Sequence, residues 1–505
     1  MDALLLTNAV VLTMDPARPR AGAVAVRDGR VAAVGTETEA RGALPPDAPE
    51  MDLGGRALVP GFVDPHLHLL SYAASLRSVD CRPGAVRSIA DIQEAVRRAA
   101  ARTPPGRWIR AFGYRESELA ERRHPTRWDL DRAAPRHPVQ LLHGSGHAVV
   151  LNSLALALAG VTVETPEPPG GYLDRDPATG QPTGLLVDMG EVARRAAPAP
   201  PEDELAEAVA EASRRLLAAG VTAVQDATAT NGPEELACLA GLAQRGAVAQ
   251  ALSVMPGYPA FAAEPGLAAP APVKLVVTVP GGRLHPPEAE LRRQVAAVHA
   301  AGRRAAVHAV EREAVAAAAD AVRTVLAAAP RPGHGHRVEH ASVCPPDLAR
   351  GLAALGVTVV SNPAFLYESG DRYLAEVAPA DLPHLYAVGT LLRAGVPAAA
   401  ASDAPVAEPL PLRSVAAALT RRSRSGRVLP GERVASVEAA LRLVTDAAAQ
   451  AAGWGGVRGR IAPGYAADLA VLPADPTTAD PAELGGWRPA LVLVAGRVAW
   501  DGASP

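Results

Sequence analysis

Two histidines, His66 and His68, stand two positions apart at the end of the apolar segment ALVPGFVDPHLH. Side chains two positions apart on an extended strand point to the same side, so both imidazoles can face one point. Paired imidazoles suit a metal ion, although a histidine at a strand end is as often held only by hydrogen bonds. The pair therefore predicts a metal site if further ligands converge on it.

Three further candidate ligands also close apolar segments. His308 ends RAAVH, His340 ends HRVEH and Asp403 ends PAAAASD. Imidazole and carboxylate are the usual ligands of zinc, manganese and iron in sites that leave room for water. We therefore expect these residues and the first two histidines to bind a divalent metal, zinc first, with one or two ions per chain.

Lys274, in the apolar segment APVKLVVTVP, is the only lysine among 50 basic residues. Chance in an arginine-rich composition is one explanation, and chemistry that arginine lacks is the other. A buried lysine can lose its proton, and its amine can then react with CO₂ to form a carbamate that bridges two cations. A plain amine that orients the substrate is the alternative. Both forms would place Lys274 at the metal site.

Eight apolar, β-rich runs alternate with long Ala- and Arg-rich helical stretches. The runs are 57–66, 220–227, 247–255, 272–279, 304–310, 336–341, 356–363 and 396–403. This pattern predicts an α/β fold of the TIM type, a (β/α)8 barrel, whose chemistry lies at the C-terminal ends of the strands. The histidine and aspartate candidates fall at those ends, so the predicted fold would bring them together.

The two ends of the chain have a sequence pattern that differs from the βα alternation between them. Residues 1–57 and 456–505 contain short β-like runs separated by Asp-Gly and Gly turns. They predict a small composite β-sandwich domain built from both termini, with the barrel in 58–455. Residues of about 70–200 do not fit the βα repeat and are rich in Pro and Gly. We expect them to form a long insertion after the first barrel strand and to cap its mouth.

Composition narrows the class of protein. Formal net charge is −3, and arginines are scattered among acids, so no nucleic-acid footprint is visible. Cys81, Cys238 and Cys344 lie far apart, which argues against a disulfide framework or a zinc ribbon. The N-terminus lacks the basic region of a signal peptide, and no apolar run reaches the ~18 residues of a membrane span. We expect a cytoplasmic protein with a small-molecule substrate and no nucleic-acid or membrane partner, and its assembly, a monomer or a homodimer, stays open.

Segments spread over the whole chain resemble the metal-dependent amidohydrolase superfamily, most closely the branch that includes N-substituted formamide deformylase. They are PGFVDPHLHL, RHPTRWDLDRAAPRHPV, SGHAVVLNSLAL, GVTAVQDA, VHAVE, RVEHAS, SNPAFLYESGDRYL, SDAPV and IAPGYAADLAVL. The resemblance implies a metal site made by His66, His68, His308, His340 and Asp403, with Lys274 as a carboxylated bridge. It also implies that Asp403 is the general base.

The implied reaction is hydrolysis of a C–N bond, in an amide, formamide or cyclic amide, by metal-activated hydroxide. Asp403 would move the proton, and a metal or a strand-end histidine such as His340 would stabilise the oxyanion. In this branch the histidine at the position of His147 lies close to the substrate. His143, in the same segment, and Tyr367 are further candidates for substrate binding, although surface or packing roles remain open for all three.

Two loops depart from the family pattern. Lys274 leads into LVVTVPGGRL where the branch has Asp-Gly, and Glu311 and Arg312 stand where it has Gly-Asp. These loops follow barrel strands, so they bear on substrate choice and on reaction type. A non-hydrolytic decarboxylase or dehydratase on the same barrel therefore stays open. An inactive binding protein is less favoured, because such a protein is expected to lose ligands and this sequence keeps all six.

Overall fold

The computed structural model describes residues 3–168, 170–264, 266–267 and 270–502. The chain divides into two compact units. Unit 1 comprises Met1–His68 and Ala212–Pro505, and unit 2 comprises Leu69–Glu211. The metal-ligand candidates all lie in unit 1.

In the described part of unit 1, eight parallel strands follow one another in chain order in two sheets. The first sheet holds strands one to three and the second holds strands four to eight. In order, these barrel strands are Phe62–Leu67, Val221–Asp226, Ala251–Val254, Val273–Val276, Ala305–Ala309, Arg337–His340, Thr358–Ser361 and Ala398–Ala400.

Hydrogen bonds join the two sheets at both gaps. Between the third and fourth strands, Lys274 N donates to Pro256 O at 2.9 Å. Between the eighth and first, Asp403 N donates to His66 O and His68 N donates to Ala404 O, both at 2.9 Å. The strands therefore have the order and pairing of a TIM-type barrel, and backbone groups of candidate ligands make the closing bonds.

Helices connect and cover these strands. They are Glu202–Ala218, Pro233–Gln244, Tyr258–Ala263, Glu288–Ala300, Arg312–Ala328, Pro346–Leu355, Ala364–Glu376, Val388–Arg393, Pro411–Thr420, Val437–Leu443 and Asp446–Ala452. Among the described residues, no helix combines the length and the apolar character that crossing a membrane requires.

Two further sheets of unit 1 are built from the ends of the chain. One has four strands, in the spatial order Arg30–Gly35, Ala23–Arg27, Ala3–Thr7 and Glu50–Asp52. The other has six, in the order Arg497–Asp501, Leu491–Val494, Leu469–Leu472, Ala57–Pro60, Val10–Leu12 and Arg20–Ala21. Strands from both termini thus share one sheet, and their buried side chains share one apolar cluster.

The run 57–66, predicted as one barrel strand, is two strands in different sheets. Ala57–Pro60 pairs with Leu469–Leu472 in the terminal sheet, whereas Phe62–Leu67 belongs to the barrel. Gly61 separates them, and a Cβ at this position would lie 2.6 Å from Thr222 Cγ2. The sequence could not show this division, because both strands are fully buried and therefore apolar on both faces.

Unit 2 is built on a six-stranded mixed sheet. In spatial order its strands are Tyr172–Arg175, Pro182–Val187, Ala148–Leu151, Val139–His143, Ile109–Tyr114 and Val79–Asp80. Its helices are Leu69–Arg77, Ile89–Ala100, Arg127–Ala133, Ser153–Leu158 and Gly190–Ala196. It has its own apolar cores. That it caps the barrel stays a prediction.

A network of three histidines lies at the N-terminal ends of the fifth and sixth barrel strands, away from the candidate ligands. Ala305 N donates to Nδ1 of His336 at 3.0 Å, and Nε2 of His336 lies 2.8 Å from Nδ1 of His299. Nε2 of His299 contacts Ala329 O at 2.9 Å, and His336 N donates to Nδ1 of His334. These four hydrogen bonds are all satisfied when the rings are neutral, with the proton of His336 on Nε2.

We expect Gly61→Ala to destabilise the protein by about 1–3 kcal/mol, because the added methyl group overlaps Thr222 in a buried position. The measurement is the midpoint of guanidinium unfolding. Thr222→Ala in the Gly61→Ala background should recover part of the loss. Gly351→Ala is the matched control, since its Cβ would meet open space in a helix and should stabilise by about 0.5–1 kcal/mol. Equal effects at both glycines would contradict the explanation.

We expect His336 to make the fold sensitive to acid. Burial lowers its pKa to about 3, and the charges of His334 and Arg331 add to this. Between about pH 6.5 and pH 3, His336 binds a proton in the unfolded chain but not in the folded chain. The free energy of unfolding therefore falls as pH falls. His336→Asn should be less stable at about pH 7.5 but lose less on going to about pH 5.5. Exposed His285→Asn should leave the pH dependence of the urea midpoint unchanged, and an unaltered dependence in His336→Asn would refute the assignment.

Candidate metal centre

Three of the predicted ligands converge. Single ligand atoms of His66, His68 and Asp403 all lie within 4.8 Å of one another. Nε2 of His68 is 3.0 Å from Asp403 Oδ1, and Nε2 of His66 is 3.4 Å from the same oxygen. Among the described residues, this is the only such group of three. A cation placed between these atoms would find two imidazoles and a carboxylate.

The other three predicted ligands border this group. The His340 ring lies 4.9 Å from the ring of His66 and 4.5 Å from that of His308, measured between centroids. Lys274 Nζ lies 3.2 Å from Nε2 of His66 and is buried. All six predicted metal-site residues therefore belong to one cluster, with three of them at the spacing of ligands to a single ion.

Hydrogen bonds orient three of the imidazoles. Each engages its Nδ1 with an oxygen: His66 with Glu339 Oε2 at 2.5 Å, His68 with Thr228 Oγ1 at 2.9 Å, and His340 with Asn362 Oδ1 at 2.7 Å. Carboxylate and amide oxygens only accept, so His66 and His340 carry their proton on Nδ1. Their Nε2 lone pairs are then available, as metal ligation requires.

Burial keeps His66 and His340 neutral. It lowers the pKa of His66 to about 3, with a contribution from the charge of Lys274 and against the opposing effect of Glu339. It also lowers the pKa of His340. Burial lowers the pKa of Lys274 to about 8, although the charges of Glu339 and Asp403 favour its protonated form. Neutral imidazole is the form that binds metals.

Asp403 supplies the test of whether a metal fits. Its Oδ1 is buried and has no hydrogen-bond partner of acceptable geometry among the described residues, although Nε2 of His68 lies 3.0 Å away. Burial raises the pKa of Asp403, but His68, His340 and His66 lower it below its usual value, so the group is a carboxylate. A buried anionic oxygen without a donor is costly unless a cation meets it. The donor set therefore fits a divalent metal.

Two of the candidate ligands, His340 and Asp403, have positive φ angles, which affect the direction of their side chains. Glu339 faces the barrel interior beside His66, so alternation along the strand would send the next side chain, His340, the other way. His340 nevertheless faces His66, because its φ is +68° and that of Ala341 is +44°. Asp403 has a φ of +57°. Non-glycine residues in this region are strained, and such strain clusters at functional sites.

Sequence reasoning missed the charged pair beneath the site. Arg337 and Glu339 lie on the sixth barrel strand, are 1% and 0% exposed, and bond to each other through Nε and Oε1 at 2.5 Å. Arg337 also donates to Gln225 Oε1 at 2.7 Å. The segment HRVEH held a signal, because opposite charges two positions apart share one side of a strand.

Two predicted substrate-binding residues, His143 and His147, lie in unit 2. Nδ1 of His143 contacts Ser145 Oγ at 2.8 Å, and its Nε2 lies 2.8 Å from Glu116 Oε2. His147 is exposed, with Nδ1 2.7 Å from Asp188 Oδ1. The acidic partner favours a proton on Nδ1 and leaves Nε2 of His147 as an acceptor. Their role towards a substrate stays a prediction.

Tyr367 lies on helix Ala364–Glu376, which follows the seventh barrel strand. The Arg413 guanidinium stands 4.8 Å from the centre of its ring, and that of Arg424 stands 5.8 Å away. Glu368 forms ion pairs with both arginines. These contacts explain the orientation of the ring by cation–π attraction, and its predicted role in substrate binding is untested.

Comparison with known proteins places this chain in a family. The model of the amidohydrolase family matches residues 50–499. N-substituted formamide deformylase of Arthrobacter pascens is 31% identical over 526 residues, covering 96% of each chain. A solved metal-dependent hydrolase of Pyrococcus horikoshii has a TM-score of 0.76 at 23% identity, over 95% of this chain and 99% of its own. The zinc-containing structure of an atrazine chlorohydrolase of Arthrobacter aurescens has a TM-score of 0.56 at 14% identity, over 99% and 96%.

The family model matches most of the chain. The deformylase is 31% identical over almost the full length of both chains, which supports common descent. The solved structures share the fold, which is a TIM-type barrel in this family. The resemblance predicted from the sequence segments is therefore confirmed. The chain belongs to the amidohydrolase family.

Proposed function

We propose that this metal-dependent hydrolase cleaves the C–N bond of a small amide, with N-substituted formamides as the first substrate class. The observation that carries the proposal is the buried Asp403 Oδ1, which lacks a donor and stands beside Nε2 of His66 and His68. The 31% identity to a formamide deformylase supports the choice of substrate. The partner of the site is thus a small molecule.

His66, His68 and Asp403 would hold the first ion, and their nitrogen and oxygen donors suit zinc. His308, His340 and Lys274 would hold a second. The bound metal supplies Lewis acidity, which lowers the pKa of water and polarises a carbonyl group. His340 keeps its proton on Nδ1, bonded to Asn362, so its Nε2 is an acceptor. This tautomer favours ligation by His340 over donation to an oxyanion.

Asp403 is the proton carrier in this proposal. Its carboxylate accepts a proton as water adds to the carbonyl carbon, and it returns that proton to the leaving nitrogen. The C–N bond breaks, and the products are a carboxylic acid and an amine. Its backbone is tied to His66 O, so the carboxylate is held in place for both transfers.

Lys274 is proposed to carry a carbamate. Its amine would form a bond to the carbon of CO₂ and release one proton, giving an anionic oxygen donor. The amine lies 3.2 Å from Nε2 of His66, at the edge of the ligand group. This position explains why a chain that otherwise uses arginine has lysine here.

We expect the zinc-loaded protein to release formate from an N-alkylformamide, and Asp403→Asn to lower kcat by about 10²–10⁴-fold. Asn retains an oxygen for the metal but cannot carry the proton. Exposed Asp47→Asn is the matched control and should leave kcat unchanged. A metal-loaded wild-type protein that hydrolyses no formamide, amide or cyclic amide would refute the substrate class. Assays for CO₂ release and water elimination would then follow.

We expect Lys274→Ala to lose both activity and part of its metal, and propionate to restore them. Propionate can place a carboxylate where the carbamate would stand, whereas propylamine can replace only an amine. Lys274→Arg should be inactive without rescue, because guanidinium forms no carbamate. Metal content and formate release are the measurements. Rescue by propylamine alone would contradict the carbamate and support an orienting amine.

A further inference from the structure

We propose that Glu339 is a positioning residue that sets the affinity of the metal site by holding the His66 ring. The inference rests on the proposed metal centre and concerns a residue outside the ligand set. Oε2 of Glu339 lies 2.5 Å from Nδ1 of His66, the ring nitrogen that does not face the candidate metal position. The bond fixes both the rotation of the ring and the position of its proton.

Arg337 makes Glu339 a rigid acceptor. Its Nε and Nη2 donate to the two carboxylate oxygens of Glu339 at 2.5 and 2.8 Å. These two hydrogen bonds and the positive charge of the guanidinium favour the ionised form of the Glu339 carboxyl group. Glu339 therefore accepts and does not donate, so the proton shared with His66 belongs to Nδ1.

Arg337 is itself fixed by neutral groups on three other segments. Its Nη1 donates to Gln225 Oε1 at 2.7 Å and to Ala451 O at 3.0 Å, and its Nη2 donates to Pro65 O at 2.8 Å. Pro65 directly precedes His66. The guanidinium thus holds the peptide next to His66 directly and the ring of His66 through Glu339.

The burial of this pair calls for an explanation other than stability. Removing two charges from water costs several kcal/mol each, and apolar residues of similar volume often serve a core equally well. Here both side chains lie inside the barrel, 1% and 0% exposed. Orientation of a metal ligand is a role that apolar residues cannot take over.

The anionic partner also distinguishes His66 from its neighbours. His68 bonds to the hydroxyl of Thr228, and His340 bonds to the amide of Asn362. A carboxylate raises the basicity of the imidazole bonded to it, whereas a hydroxyl or an amide does so less. His66 should therefore be the strongest nitrogen donor of the three, and the loss of its partner should weaken binding more than the loss of Thr228.

The test measures zinc affinity by competition with a chromophoric chelator, without reference to activity. We expect Glu339→Gln to bind zinc about 10–100-fold more weakly than wild type. Thr228→Val is the matched control, and it should weaken binding by a smaller factor. If Glu339→Gln fails to fold, the double variant R337M/E339M removes the acceptor while keeping an apolar core, and it should show the same loss. Unfolding midpoints of the metal-free proteins identify variants that are folded.

A second readout detects the orientation itself. In metal-free protein labelled with ¹⁵N-histidine, His66 should carry its proton on Nδ1 in wild type, and this tautomer should become less populated in R337M/E339M. His66→Asn assigns the resonance. Zinc affinity within twofold of wild type in folded Glu339→Gln and R337M/E339M would overturn the positioning role. Failure of wild type to bind any divalent ion would instead overturn the proposed metal centre.

Discussion

The hydrogen bonds between the eighth and first barrel strands constrain most of what surrounds the site. Asp403 N binds His66 O, and His68 N binds Ala404 O, so the backbone that closes the barrel also carries three candidate ligands. The distances among their side chains are set by the same bonds that set the strand register. The candidate site is therefore held by the same backbone hydrogen bonds that close the barrel, so its side chains are preorganised.

The clustering of the candidate ligands was predictable, because histidines and an aspartate that end apolar runs stand out against a barrel pattern. His66, His68, His308, His340, Lys274 and Asp403 do form one cluster. Their orientations were not predictable. Alternation would have turned His340 away from His66, and the positive φ of His340 depends on contacts that only the folded chain makes. The division of run 57–66 into two strands at Gly61 was not predictable for a related reason. The close approach of Thr222 to Gly61 is a tertiary contact that the sequence does not show.

Charge inside the barrel is arranged in two layers. Arg337 and Glu339 neutralise each other and are saturated with hydrogen bonds, while Asp403, nearer the strand ends, keeps one oxygen without a donor among the described residues. The Arg337–Glu339 pair makes its hydrogen bonds with protein groups, whereas a cation would compensate the buried charge of Asp403. Burial, which lowers the pKa of His66 to about 3, keeps the imidazole between these layers neutral. The ring can therefore donate a proton to one side and a lone pair to the other.

The passage of the chain through Gly61 has a consequence for biosynthesis. Ala57–Pro60 leads through this one residue into the strand that carries His66, and its sheet partner Leu469–Leu472 lies near the other end of the chain. Domains generally fold as units while the ribosome is still extending the polypeptide. Here the segment that anchors the first ligand strand obtains this neighbour only when translation is almost finished. The terminal sheet next to the first candidate ligands is thus completed only late in synthesis, although Val10–Leu12, its other neighbour in that sheet, and the candidate ligands His66 and His68 emerge early.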